Sequence, residues 1–209
     1  MEDKRRHRRL RLLVGELNRE RKKQAKKIDI LCNDLIGAQR DFIKKLNTVS
    51  FTASFYGAIV GAADLNTLVL AATKLIKGEV AYSNVAFFLR QEDGFELHVN
   101  ESSQPIALEK QHLENYFTTE LVDNICKSNK ICSLDDMFAM GLEGKLTVLN
   151  RISAATIPLG QGGSSLGFIL IYRSSANKLA PDELKNIAGV SPGLSRAIQS
   201  CRAFSRQTD

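Results

Sequence analysis

The chain has 209 residues, 44% of them hydrophobic and 25% charged, the balance of a folded globular protein rather than a disordered one. No apolar run approaches the roughly 20 residues that cross a bilayer, and the basic start MEDKRRHRRLRLLVGE leads into too short an apolar piece to be a secretory signal. The net charge of +6 is unevenly placed: residues 1–27 hold twelve Lys/Arg against four Asp/Glu (+8), leaving seventeen against nineteen (−2) for the rest, which argues against a globular module built as a nucleic-acid surface.

The first 50 residues read as a helical arm. Between about Arg8 and Leu46 there is no Pro and only two Gly, Gly15 and Gly37, and strong helix formers dominate. Val14, Leu17, Ile28, Leu31, Leu35, Ala38 and Phe42 fall at alternating spacings of three and four, with Arg21 and Gln24 as a polar break in the same frame. Such a seam calls for a partner, either a second copy of the chain or the domain that follows. The basic runs RRHRRLR and RKKQAKK read as a solvated coiled-coil face. Contact with a membrane surface or nucleic acid is the competing reading, weakened by the lack of interleaved aromatics.

A break is expected over Thr48–Ser54, then a helix from Phe55 to Lys77, interrupted where Asp64 suits an N-cap for Leu65–Ile76. Asn84–Arg90 reads as a strand, Glu92-Asp93-Gly94 as a hairpin turn and Phe95–Val99 as the return strand. A loose stretch, Glu101–Lys110, precedes a helix over Tyr116–Asn129, a short strand over Lys130–Leu134 and a short helix or irregular cap over Asp135–Leu142. Ser153–Leu159 and Ser165–Tyr172 are the clearest strands, joined by the glycine-rich turn Gly160–Gly163. From Pro181 a last helix buries Leu184, Ile187, Leu194, Ile198 and Cys201, with Ser191-Pro192-Gly193 expected to interrupt it. Antiparallel strands between terminal helices make an α+β sandwich, its sheet covered mostly on one face.

In order and spacing, three of these pieces resemble the GAF domain family over residues 52–205. They are the hairpin at 84–99 after ADLNTL (63–68), the stretch LVDNICKSNKICSLDD (121–136), and Ile157-Pro158-Leu159 followed by LGFIL (166–170) and LAPDEL (179–184). The resemblance implies a central antiparallel sheet with the terminal helices on one face, following a long N-terminal coiled-coil helix. It also implies a small-molecule pocket under a cap formed by about residues 101–150, dimerisation through the terminal helices, and a non-catalytic sensory role in cytoplasmic signal transduction. With no kinase, cyclase, phosphodiesterase or DNA-binding segment in the chain, output is expected in a separate protein or a longer chain.

No cofactor or metal is expected, only a small-molecule ligand of unknown identity. Its polar anchors are assigned to Asp135, Asp136, Asn150, Arg151 and Thr156 and its apolar walls to Phe87, Met137 and Met140, as pockets are mostly apolar with a few fixing polar groups. Some GAF-fold proteins reduce free methionine sulfoxide through cap cysteines, so Cys126 and Cys132 carry an alternative thiol chemistry. The reading set against it packs both as small hydrophobes. The four cysteines form no CxxC pair, and His98 and His112 lack ligand-spaced partners. Asn177-Lys178 with Asp182-Glu183 partly resembles a motif of cyclic-nucleotide-binding GAF domains, with Leu179 where that motif has Phe. A dimerisation scaffold with no ligand is the third reading.

Overall fold

A computed structural model describes residues 2–92, 94–99, 108–161 and 164–208 and divides the chain into two compact units, Met1–Val49 and Ser50–Asp209. The first is the N-terminal part of one helix, α1 (Glu2–Val60), and every side chain from Glu2 to Asn47 is exposed. The second unit begins within α1. The break expected over Thr48–Ser54 does not exist: α1 continues to Val60, and the interruption lies at residues 61–64. Residues 50–58 have modest helix propensity, but Phe51, Phe55 and Ile59 lie one turn apart on one face and are drawn into the core. Burying a Phe side chain stabilises by about 1.5–3 kcal/mol, enough to override propensity.

Asp64 caps α2 (Leu65–Glu79), its carboxylate accepting the Thr67 N–H at 2.8 Å and the Thr67 hydroxyl at 2.7 Å. The sheet comprises β1 (Asn84–Gln91), β2 (Gly94–Val99), β3 (Cys132–Ser133), β4 (Ile152–Gln161) and β5 (Ser164–Ser174). All pairings are antiparallel, in the order β2-β1-β5-β4-β3. Asp93 of the first expected turn, residues 101–107 of the loose stretch and Gly162-Gly163 of the second turn lie outside the described residues.

Both faces of the sheet are buried, more than the one-sided cover read from the strand pattern. Val85, Phe87 and Leu89 of β1 with Ile169 and Ile171 of β5 pack against the end of α1, α2 and the last helix, α7 (Pro181–Thr208). Ala86 and Phe88 with Phe168, Leu170 and Tyr172 form a second core with α3 (Lys110–Tyr116), α4 (Thr119–Ser128) and α5 (Leu134–Ala139). A strand buried on both sides reads as an unbroken apolar run, as in NVAFFL and GFILIY. At its tightest point the sheet needs a glycine: Gly167, at φ +132°, pairs with Leu89, and any Cβ there would overlap the Phe88 carbonyl.

On the cap side the sequence reading is too coarse. The helix expected over Tyr116–Asn129 begins only at Thr119, with Thr118 as the N-cap of α4, and a separate helix, α3, precedes it where the sequence reading places none. The strand expected over Lys130–Leu134 shrinks to Cys132–Ser133 because Ser133 caps α5, and a four-residue helix α6 (Leu146–Leu149) follows.

Pro192 does not interrupt α7. A proline leaves the carbonyl four residues back without its helical partner, here that of Ala188, and the Ser191 hydroxyl donates to that carbonyl at 3.1 Å. The neighbouring Gly193 is there for packing: a Cβ at this position would run into the ring of Tyr56 in α1. Ser191-Pro192-Gly193 thus fits inside a continuous helix.

Candidate functional site beneath the cap

The space between the sheet and α3–α6 is filled by the protein itself. Phe88 stacks on Phe168 with ring centroids 4.7 Å apart, and Phe117 closes against Phe88 at 4.9 Å. Beside this cluster remains a cavity of about 10 Å³, among whose lining residues are Tyr116, Phe117, Met137, Leu149 and Tyr172. That volume holds at most a single water molecule. Tyr172 closes its edge: its hydroxyl accepts the Leu108 N–H at 3.1 Å, and burial pushes its phenol above the ordinary tyrosine range.

Of the eight residues assigned to a ligand, Met137 alone lines this cavity. Phe87 is fully buried but on the opposite face of the sheet, among α1, α2 and α7. Strand alternation gives the cap side to Phe88, one residue on. Asp136 serves its own helix: its carboxylate accepts the Ser133 N–H at 2.8 Å and the Ser133 hydroxyl at 2.7 Å, bonds that hold it below the usual carboxylate range. Asp135, Asn150 and Arg151 are exposed, and the Arg151 carbonyl accepts the Ser175 N–H. Met140 ends α5 half-buried, its backbone N–H donating to the Asp136 carbonyl. Thr156 is fully buried on β4, opposite Cys132 and Leu170, and its hydroxyl has no hydrogen-bond partner among the described residues. The assigned polar anchors therefore do not converge.

Residues 177–183 are also committed to the fold. Arg173, 5% exposed, donates to the carbonyls of Asn177 (2.7 Å), Lys178 (2.7 Å) and Ala81 (3.2 Å) and to both carboxylate oxygens of Glu183 (3.2 and 2.7 Å). All five guanidinium N–H donors are used. The partial cyclic-nucleotide motif is thus a loop wrapped around a buried arginine.

Solved structures share this architecture. The GAF domain of a phosphoenolpyruvate-protein phosphotransferase (ptsP) from Coxiella burnetii is similar over 77% of this chain and 98% of its own, at 15% identity and a TM-score of 0.58. The corresponding Acinetobacter GAF domain is similar over 76% and 97%, at 10% identity and a TM-score of 0.56. The GAF domain of a two-component sensor histidine kinase from Bacillus halodurans is similar over 69% and 99%, at 18% identity and a TM-score of 0.51. The chain has a GAF fold. No protein-family model matches it, and no curated protein does.

Within this GAF fold the thiols are placed for packing. Cys126 is buried on α4, and desolvation pushes its thiol up, away from the nucleophilic thiolate. Cys132 is fully buried, its sulfur 3.1 Å from the Ser128 hydroxyl. His98 Nε2 lies 3.3 Å from a Glu96 carboxylate oxygen, and no group of three His, Cys, Asp or Glu among the described residues could hold a metal. No helix of the described residues is long and apolar enough to cross a membrane.

Sequence reasoning misses Tyr172, Phe117 and Leu149 as the groups filling the GAF cavity. The signal for Tyr172 is there to be read: counting by twos from Phe168 along β5 puts Leu170 and Tyr172 on one face. So is the signal against Asp136, since Ser133-x-x-Asp136 is a capping-box spacing.

Proposed function

We propose that the chain is a non-catalytic, GAF-type sensory and regulatory module of cytoplasmic signal transduction, assembled as a homodimer through its N-terminal helix. One observation carries the reading: a helix whose side chains are exposed from Glu2 to Asn47 presents Val14, Leu17, Ile28, Leu31 and Leu35 to water at coiled-coil spacing. The similar GAF domain from Bacillus halodurans is part of a two-component sensor histidine kinase, which supports the signalling part. Buried, desolvated thiols stand against a reductase.

Light scattering on the full chain tests the assembly. A dimer that Leu17→Asp with Leu31→Asp converts to monomer supports it, and a monomeric wild-type chain removes it.

The sensing part is assigned to the space beneath α3–α6. A ligand there is small and mostly apolar, and it enters only when Tyr172 releases the Leu108 N–H. Native mass spectrometry of the purified chain decides this: a co-purified small molecule supports sensing, and an empty protein leaves the module a ligand-free dimerisation scaffold. The output partner is a separate protein in this scheme.

A further inference from the structure

The charges on the N-terminal helix distinguish the two ways in which two copies can pair. The seam runs Leu10, Val14, Leu17, Arg21, Gln24, Ile28, Leu31, Leu35, its apolar members 54–71% exposed. In a parallel pair each position meets itself across the a and d layers. Arg21 would then face the partner's Arg21, and Arg6 would flank the partner's Arg11. The flanking charges Glu20 and Lys27 would sit beside the uncharged Ala25 and Cys32 of the partner subunit, so a parallel pair gains no attractive flanking contact.

Reversing one helix changes each of these contacts. With the two-fold axis between Lys22 and Lys23, Leu10 packs on the partner's Leu35, Val14 on the partner's Leu31 and Leu17 on the partner's Ile28. Arg21 then lies against the partner's Gln24, an acceptor for its guanidinium rather than a like charge. The flanking positions become complementary, with Glu20 beside the partner's Lys27 and Arg6 beside the partner's Asp41, each contact occurring twice by symmetry. Within one chain Glu20 holds Lys23 at 2.8 Å, but both ends of that pair are more than half exposed and the contact is weak.

We propose that the N-terminal helix pairs antiparallel with a second copy of the chain, centred between Lys22 and Lys23. This rests on the homodimer reading above and adds its orientation. The two ends that lead into the GAF units then lie at opposite ends of the pair.

The native chain carries the probe for its own test. Cys32 is exposed while Cys126, Cys132 and Cys201 are buried, so a nitroxide reagent labels the arm alone. In the antiparallel pair the two labels are offset by about 28 Å along the axis, at 1.5 Å per residue. With the width of the pair added, pulsed electron spin resonance should read about 30 Å. A parallel pair gives only the interhelical spacing, about 10–15 Å with the label arms.

Light scattering is run on the same sample. A monomer overturns the homodimer and the orientation together, and a dimer with the short distance overturns the orientation alone. Charge reversal gives a second readout. Glu20→Lys should raise the dimer Kd roughly tenfold, and adding Lys27→Glu should restore it. A dimer indifferent to Glu20→Lys counts against the antiparallel pair.

Discussion

Arg173 and Glu183 meet in a two-pronged ion pair, Nη1 to Oε1 at 3.2 Å and Nη2 to Oε2 at 2.7 Å, with the arginine buried beneath the β5–α7 loop. The same carboxylate accepts the Ala180 N–H at 2.8 Å, so this pair also sets the first turn of α7. Removing Glu183 leaves a buried guanidinium with its three carbonyl acceptors but no countercharge. The Glu183→Ala variant should lose about 2–3 kcal/mol, toward the lower end for a buried pair because the Glu183 side chain is 26% exposed. Urea unfolding measures it. Arg173→Ala should cost as much, and the double variant clearly less than the sum of the two.

Ser191 and Pro192 form a second testable pair. Ser191→Ala leaves the Ala188 carbonyl without its donor and should cost about 1 kcal/mol. In a Pro192→Ala background the backbone N–H returns, and the same serine change should become nearly neutral. Equal costs in both backgrounds would remove the compensation argument.

Gly167→Ala should be the most damaging small substitution in the sheet. It places a Cβ against the Phe88 carbonyl at a φ that side chains avoid, a loss on the order of 3 kcal/mol, read as a fall in the urea midpoint. Gly78→Ala, with nothing near its Cβ, is the control and should be neutral or stabilising.

Tyr172→Phe removes the acceptor of the Leu108 N–H. Stability should fall by about 1 kcal/mol, and amide exchange at Leu108 and through α3 should quicken, because the edge of the cavity has lost its latch. Unchanged exchange there would mean that the hydroxyl does not hold the cap.

The groups that burial raises, the Cys126 and Cys201 thiols and the Tyr172 phenol, set the alkaline side of the pH dependence. The Cys126 thiol and the Tyr172 phenol are both favoured in their neutral forms by the fold. Their contribution is therefore complete below the unfolded values and is lost as pH rises through the folded ones. Unfolding free energy should decline above about pH 9 in a way that Cys126→Ala with Tyr172→Phe reduces.

The strands are legible because burial on both faces leaves bulky apolar runs that turns bound sharply. The long arm is legible from its spacing and its lack of Pro. The cap is not: α3, α4 and α5 are short and their boundaries are set by single hydroxyls, Thr118 and Ser133, that look alike in loop and helix. The assigned ligand residues do not share one space for a related reason. Asp135, Asn150 and Arg151 have fitting chemistry at the right place in the chain, whereas exposure depends on which way a short helix turns. Phe87 is one residue from the cap side because β1 is apolar on both sides and its sequence does not say which face is which. Pro192 misleads because the serine before it offsets the bond the proline removes.

The notch at Gly193 has a mechanical consequence. Because the Tyr56 ring of α1 occupies the place where a side chain of α7 would otherwise stand, the two helices mesh like a tooth and a gap. A twist applied to the end of α1 must either lift Tyr56 out, exposing an aromatic ring, or turn α7 with it. Tyr56 thus keys the end of α1 to α7, alongside the Phe55 and Ile59 side chains that bury the same helix end in the shared core.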